Sequence, residues 1–322
     1  MDSAPRDLNH ANLEAMKPTA VVCAYSPVGR EALAGLLDAG IEVLALYTYA
    51  QGESETWFEP PARLAEGQGI PVRMERRFNE DGVFAAIRAL HPDFLFSFYF
   101  REMIQARFLE IPPLGAYNLH GSLLPKYRGR APINWVLVKG EQETGITLHA
   151  MTPKPDDGDI VGQMKLPIEW DDTALSLTLK CAKAGRSLVQ DVVPKLVDGT
   201  AIRIRQKTLA PSTYFGGRKP EDGQLDFSMS AAEAFNLIRA VADPWPNAFI
   251  RTSSGTLHVP WALPTSLPCD PGCFRRTAEG TLLGFRDHAL MLHVLRKDNL
   301  RSERPTEHGD LLRGIGIPEI SA

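Results

Sequence analysis

No apolar run in this chain of 322 residues approaches the ~18 residues that a membrane-spanning helix needs, so no membrane segment is expected. Cysteine is scarce. Cys23, Cys181, Cys269 and Cys273 are too few for a disulfide framework in a chain of this length. Cys269 and Cys273 lie near His258, His288 and His293, but the spacing matches none of the usual zinc arrangements and no metal is expected. Positive charge is not in excess either. With 35 Lys and Arg against 39 Asp and Glu, the formal net charge is −4, which speaks against nucleic acid as a partner. Repeats and low-complexity tracts are missing. What remains, 44% hydrophobic and 23% charged, is the composition of an ordinary globular protein, with the cytoplasm as the default compartment.

The first sixteen residues are polar, carry both charge signs and lack the apolar core of a signal peptide, so 1–16 reads as a loose extension. Thr19 to Tyr25 is a β-prone apolar run, Gly29 to Ala39 has helical spacing closed by Gly40, and Ile41 to Tyr49 is strand-like again. This β-α-β unit implies a parallel sheet. Its first turn carries only Gly29 and lacks the Gly-x-Gly-x-x-Gly fingerprint, which excludes a dinucleotide site of the usual kind. Next come a short helix (Arg63 to Gly67), a strand (Ile70 to Met74) and a helix (Gly82 to Leu90). Asp93 to Phe100 is aromatic enough to be a buried strand with its rings in the core. Gly145 to Met151 and Asp159 to Ile168 suit a hairpin around the breaker-rich turn 153–158. Asp171-Asp172-Thr173 starts a long helix whose expected apolar stripe is Leu175, Leu179, Ala182, Val189, Val192 and Leu196. From about residue 205 short β-prone pieces predominate: Ala248–Arg251, Thr256–Trp261, Thr281–Phe285 and Ala289–Leu295, after one helix over Ala231–Val241. The expected organisation is an α/β domain over 17–204 and a small β-barrel or sandwich over 205–322.

The chemistry gathers at residues 117–132. An apolar lead from Leu114 to Tyr117 ends in Asn118-Leu119-His120, and Gly121, Pro125, Gly129 and Pro132 keep the residues beyond His120 out of regular structure. On an extended segment Asn118 and His120 point to one side, with Leu119 turned into the core. A histidine beside an amide donor, with a carboxylate in a nearby turn, suits attack by an amine on a carbonyl. The imidazole takes the proton the amine loses, and the amide hydrogen-bonds the oxygen that becomes negative. A neighbouring aspartate raises the histidine pKa and orients the ring. Spacing supports only the Asn118–His120 pair; whether Asp156 or Asp157 reaches it is open at this level.

The run 118–132, Asn-Leu-His-Gly-Ser-Leu-Leu-Pro-Lys-Tyr-Arg-Gly-Arg-Ala-Pro, resembles the signature of formyltransferases that use 10-formyltetrahydrofolate. The resemblance continues through Glu143–His149, the Asp156-x-Gly158-x-Ile160-Val161 turn and Arg239–Pro246. Within that family it is nearest to the formyltransferase part of the bifunctional enzyme acting on UDP-4-amino-4-deoxy-L-arabinose in lipid A modification and polymyxin resistance. Methionyl-tRNA formyltransferase is a more distant likeness. The resemblance implies a Rossmann-like N-terminal domain and an OB-like β-barrel at the C-terminus. It makes His120 the general base, Asn118 the transition-state stabiliser and Asp156 the carboxylate that raises the His120 pKa. Gly158 aligns the turn in favour of Asp156 over Asp157. The implied donor contacts are Glu102, Met103 and Ile104, with Thr152, Pro153, Lys154, Pro155 and Asp156, and Arg130 matches a substrate-binding position. The second, decarboxylating domain of the bifunctional relative has no counterpart here.

For the acceptor, charge discriminates. No Lys or Arg occurs between Arg30 and Arg63, while Glu42, Glu53, Glu55 and Glu59 fall inside that interval. From residue 205 onward 14 Lys and Arg stand against 13 Asp and Glu. A tRNA stem requires a basic track, whereas a diphosphate needs one or two cations, which Arg130 with Lys126 or Arg128 can supply. The expectation is a small nucleotide-sugar acceptor and no nucleic acid, with a homo-oligomer left open. Formylation of methionyl-tRNA, hydrolysis of the folate donor and folate binding without turnover are the alternatives.

Overall fold

The computed structural model describes residues 17–209, 211–252, 255–297, 300–303, 308 and 312. The extension expected over 1–16 lies outside the described residues. The N-terminal half runs β1 (Thr19–Ala24), α1 (Ser26–Asp38), β2 (Glu42–Tyr47), α2 (Pro61–Gly67), β3 (Val72–Arg73), α3 (Asp81–Leu90), β4 (Phe94–Phe98), α4 (Ala106–Leu109) and β5 (Ala116–His120). Then come β6 (Arg128–Gly129), α5 (Pro132–Val138), β7 (Glu143–Ala150), β8 (Ile160–Pro167), α6 (Ala174–Val197) and β9 (Tyr214–Phe215).

Seven of these strands form one sheet in the order β3-β2-β1-β4-β5-β7-β8. β1 to β5 are parallel, but β7 lies antiparallel to β5 and β8 antiparallel to β7. The parallel sheet expected from the first β-α-β unit is therefore a mixed one, because the 143–167 hairpin adds to its edge. Each face has its own core. Ala20, Val22, Phe94, Phe96, Leu119 and Leu148 join α1 and α6 on one side. Val21, Cys23, Leu95, Ile87 and Phe108 join α3 and α4 on the other. Alternation along the strands produces this division. The aromatic strand is core, as expected, with Phe94, Phe96 and Phe98 at 0% exposure.

α6 begins at the expected caps. Thr173 Oγ1 accepts the Ser176 N–H at 3.2 Å, closing a capping box. Of its expected apolar stripe Ala182, Val189, Val192 and Leu196 are buried, beside Leu177, Cys181 and Leu188, but the first turns differ: Leu179 is 44% exposed and Leu175 is half-buried. The face that counts is the one against α1, where the helices approach so closely that a Cβ on Gly35 would lie 2.8 Å from the Arg186 carbonyl oxygen.

The C-terminal part holds α7 (Ala231–Ala240), β10 (Ala248–Thr252), β11 (Gly255–Thr265), β12 (Phe274–Thr277), β13 (Gly280–Gly284), β14 (Ala289–Lys297) and β15 (Leu300–Ser302). Its strands form a six-stranded antiparallel sheet in the path β10-β11-β14-β13-β12, with β15 also on β14. β12 and β15 carry too few apolar residues to have been read as strands. The two halves are stitched by Asn134 Nδ2, which donates to Ala240 O at 2.6 Å, and by buried Arg239, which donates to Glu169 O at 3.1 Å. Among the described residues no helix is long and apolar enough to cross a membrane, and no group of three His, Cys, Asp or Glu could hold a metal.

The α1–α6 crossing yields a stability prediction. Gly35→Ala improves helix propensity but adds a methyl where backbone stands, so a net loss of about 1–3 kcal/mol is expected. Urea unfolding checks this; an unchanged midpoint would mean the helices can slide apart freely.

Candidate active site

β5 carries the first two residues. Asn118 and His120 alternate with Leu119, which is buried among the α6-side core, so both face the opposite side of the sheet. Antiparallel pairing sets His149 of β7 directly across from Asn118. The Asn118 amide nitrogen lies 3.1 Å from His149 Nε2, and His149 Nδ1 donates to the Ala150 carbonyl at 2.8 Å. In that tautomer Nε2 holds a lone pair and accepts from Asn118, which pins the amide and leaves its second N–H free.

The loop after β5 folds back on His120. Ser122 Oγ donates to Lys126 O at 2.7 Å, and Thr147 Oγ1 donates to Ser122 O at 2.6 Å. Gln163 ties in Leu124 O at 2.8 Å. This turn brings the Tyr127 carbonyl within 2.8 Å of His120 Nε2, which donates to it. The nitrogen left to take a proton is then Nδ1. Two elements here escaped the sequence reading: α5, which begins at Pro132 in the stretch expected to be irregular, and the small β6–β9 pairing.

The turn between β7 and β8 supplies the carboxylate. Asp156 takes a left-handed backbone, φ 51°, which an aspartate tolerates better than most residues. Its Oδ1 lies 3.5 Å from His120 Nδ1 and 3.6 Å from His149 Nε2, and its Oδ2 accepts the Gly129 N–H at 2.9 Å. Asp157 points elsewhere, to Arg128 at 3.0 Å and Lys154 at 3.4 Å. Gly158 leaves no alternative residue, since a Cβ there would sit 1.9 Å from Ala150 O.

Burial dominates the His120 titration and pulls its pKa below the usual 6.5; Asp156 and the Tyr127 carbonyl oppose this, while His149 and Arg128 add to it. The net direction is thus downward, not upward as the neighbouring aspartate alone would suggest. For Asp156 burial acts to raise the pKa, but its partners, His120 and the Gly129 N–H among them, outweigh it and bring it down to about 2.

The other expected residues have partners of their own. Glu102 Oε2 accepts the Phe78 N–H at 3.2 Å, and Met103 O accepts from Asn79 Nδ2 at 2.8 Å. Met103 is 55% exposed and Ile104 is buried. Thr152 Oγ1 donates to Lys154 O at 2.8 Å, with Pro153 and Lys154 exposed and Pro155 O accepting from Arg128 at 3.1 Å. Arg130 is exposed and, like Lys126, shows no ion pair among the described residues. Arg128 is not available as the second cation, since Asp157, Pro155 O and Ser212 Oγ already occupy it. His149, the Tyr127 carbonyl and the Gly129 N–H were missed from sequence. Only His149 left a trace there, as the last residue of the Glu143–His149 stretch that carries the resemblance.

This geometry predicts a titration. His120 should titrate below 6.5, and Asp156→Asn, which removes a charge that raises its pKa, should move it lower still. Imidazole NMR against pH reads both; a rise in the variant would mean that Asp156 does not face His120 in solution.

Two family models match the chain: formyl transferase over residues 44–193, and the formyl transferase C-terminal domain over 218–307. Among solved structures, WlaRD, a sugar 3N-formyl transferase studied with dTDP and 5-N-formyl-THF, is similar at a TM-score of 0.65 and 18% identity. That match covers 86% of this chain and 97% of WlaRD. HypX from Aquifex aeolicus matches at a TM-score of 0.64 and 15% identity over 95% of this chain, which spans about half of HypX (49%). Methionyl-tRNA formyltransferase from Clostridium thermocellum matches at 0.54 and 15% identity, over 77% of this chain and 93% of that one. With both family models placed on the two halves of the structure, the chain belongs to the formyl transferase family.

Proposed function

We propose that this enzyme transfers a formyl group from 10-formyltetrahydrofolate to the amine of a nucleotide-linked amino sugar. The observation that carries it is the cluster in which Asn118, His120 and Asp156 meet on one face of β5 beneath the 151–159 turn. A reduced-folate donor fits the surroundings. The segment 102–104 is held open by Asn79 and the Phe78 N–H, and the Ile104 N–H and C=O have no partner among the described residues. Such a backbone pair matches the donor and acceptor edge of a pterin ring. The donor supplies an electrophilic formyl carbon; once the amine has added, the carbon–N10 bond breaks, and tetrahydrofolate leaves carrying the proton that His120 took from the amine.

His120 Nδ1 takes the proton from the attacking amine, with Asp156 stabilising the imidazolium across 3.5 Å. A lowered pKa keeps the ring neutral, and so able to act as a base, near neutral pH. The free N–H of Asn118 donates to the formyl oxygen as charge builds on it, and His149 keeps the amide from turning away. Arg130 and Lys126, both exposed and without ion pairs among the described residues, are proposed to meet the acceptor diphosphate.

The loop over 50–60 favours a sugar nucleotide over tRNA. Its Glu55 accepts from Tyr25 at 2.5 Å and pairs with Arg101, and Glu59 pairs with Arg30 at 2.6 Å. An acidic segment clasped in this way offers phosphates no basic track. WlaRD, described with dTDP and a formyl-folate, supports the same reading. Within the class, the resemblance favours UDP-4-amino-4-deoxy-L-arabinose or a similar 4-amino sugar.

Mass spectrometry across UDP- and dTDP-linked 3- and 4-amino sugars, with 10-formyltetrahydrofolate, should find a formylated product with at least one acceptor. Transfer to methionyl-tRNA with every sugar left untouched would overturn the reading. His120→Ala should cut turnover by roughly 10²–10⁴-fold while donor binding survives.

A further inference from the structure

We propose that Arg128, braced by Asp157, is a positioning residue that holds the Asp156 carboxylate against His120. The inference rests on the roles proposed above for those two residues. The turn that carries Asp156 is held at its end by Gln206 Nε2, which donates to Gly158 O at 2.7 Å, but that bond lies beyond Asp156 and Asp157. Pro153 and Lys154 stand in solvent, and Asp156 itself adopts a left-handed backbone that the turn must be made to keep. Three contacts from a dipeptide hold it. Arg128 Nη2 donates to Pro155 O at 3.1 Å and pairs with Asp157 Oδ1 at 3.0 Å, gripping the residues on either side of Asp156. Gly129 N–H takes Asp156 Oδ2 itself at 2.9 Å.

The dipeptide is in turn fixed by the segment that leads to the C-terminal domain. Arg128 N donates to Thr213 O and Arg130 N to Phe215 O, both at 2.9 Å, and Arg128 Nη1 donates to Ser212 Oγ at 3.3 Å. Gly129 has φ 97°, and a Cβ there would come within 2.2 Å of Phe215 O, so no other residue fits against this strand. The preceding residue, Tyr127, supplies the carbonyl that His120 Nε2 contacts. Residues 127–129 thus set both the imidazole and the carboxylate. The Arg128 and Asp157 side chains are only 11% and 17% exposed, so their pairing is shielded from solvent as a surface ion pair is not.

The test compares the wild-type enzyme with Asp157→Asn, Asp157→Glu and the charge-neutral double variant Arg128→Gln/Asp157→Asn. Charged and titratable groups around His120 are Asp156, His149 and Arg128, and Lys154 shares Asp157, so net charge has to be held constant in one arm. In the double variant kcat at the pH plateau should fall roughly 10- to 100-fold, since a carboxylate or base displaced by about 1 Å is enough for that. KM for donor and acceptor should stay within about twofold. In Asp157→Asn, which leaves Arg128 and its own effect on the ring in place, His120 followed by imidazole NMR should titrate lower as Asp156 drifts away. Asp157→Asn alone, nearly isosteric on the turn, should show the same plateau loss, and Asp157→Glu should recover most of the rate.

A double variant with wild-type plateau kcat, or Asp157→Asn with wild-type plateau kcat and an unmoved His120 titration, would overturn the proposal. So would a raised acceptor KM at unchanged kcat, which would make Arg128 a substrate ligand. If wild-type protein formylates no acceptor at all, the reaction assigned above fails. The NMR comparison of His120 still decides the positioning role.

Discussion

The antiparallel seat of β7 beside β5 is the constraint on which the site depends. A parallel strand in that place would end beside His120, at the C-terminal end of β5, whereas β7 ends level with Tyr117. Running the other way, β7 brings His149 opposite Asn118, and the turn at its end folds back over the face that bears both histidines. The reversal costs the sheet its uniform direction. In return four polar side chains from two neighbouring strands and one turn are linked in a row, Asn118 to His149 at 3.1 Å, His149 to Asp156 at 3.6 Å and Asp156 to His120 at 3.5 Å.

Parts of this were legible in the sequence. The Asn118–His120 alternation follows from the period of a strand, and the start of α6 from its Asp171-Asp172-Thr173 caps, because both are local rules. The α6 stripe was legible from Ala182 onward but not in the first turns, since Leu175 and Leu179 are as apolar as the leucines that are buried. Only the close contact at Gly35 decides which face wins. The choice of Asp156 over Asp157 came only from the resemblance, aligned by Gly158. By spacing alone, two adjacent acids in a breaker-rich turn are equivalent. Backbone handedness and the Gly129 N–H, 27 residues away in the chain, separate them. Contacts made by backbone atoms, such as the Tyr127 carbonyl on His120, leave no sign in residue identity at all.

The electrostatics of His120 show why a partner and a burial have to be weighed together. A carboxylate at 3.5 Å favours the imidazolium, yet the ring is enclosed, and desolvation wins. For a general base this is the useful order of effects. A ring raised far above its ordinary pKa would arrive already protonated at neutral pH. One with no carboxylate nearby would have nothing to stabilise the proton once taken. The low pKa of Asp156, about 2, keeps that carboxylate charged throughout the range in which His120 titrates.

The acidic loop over 50–60 adds a further argument about what the site admits. Two of its three acids are spent on the protein itself: Glu55 on Tyr25 and Arg101, the latter directly preceding the segment 102–104, and Glu59 on Arg30 at the start of α1. Arg101 also lies 4.4 Å from the centre of the Tyr25 ring, and Trp57 meets Trp245 of the C-terminal half with ring centres 5.6 Å apart. A loop anchored at β1, at the end of β4 and on the second domain cannot swing aside without breaking ion pairs and aromatic contacts together. On the proposed reading it walls the approach to His120 with aromatic and already neutralised surface. That suits an acceptor small enough to bring its own diphosphate to Arg130 and Lys126, and it offers a polyanionic stem nothing to grip.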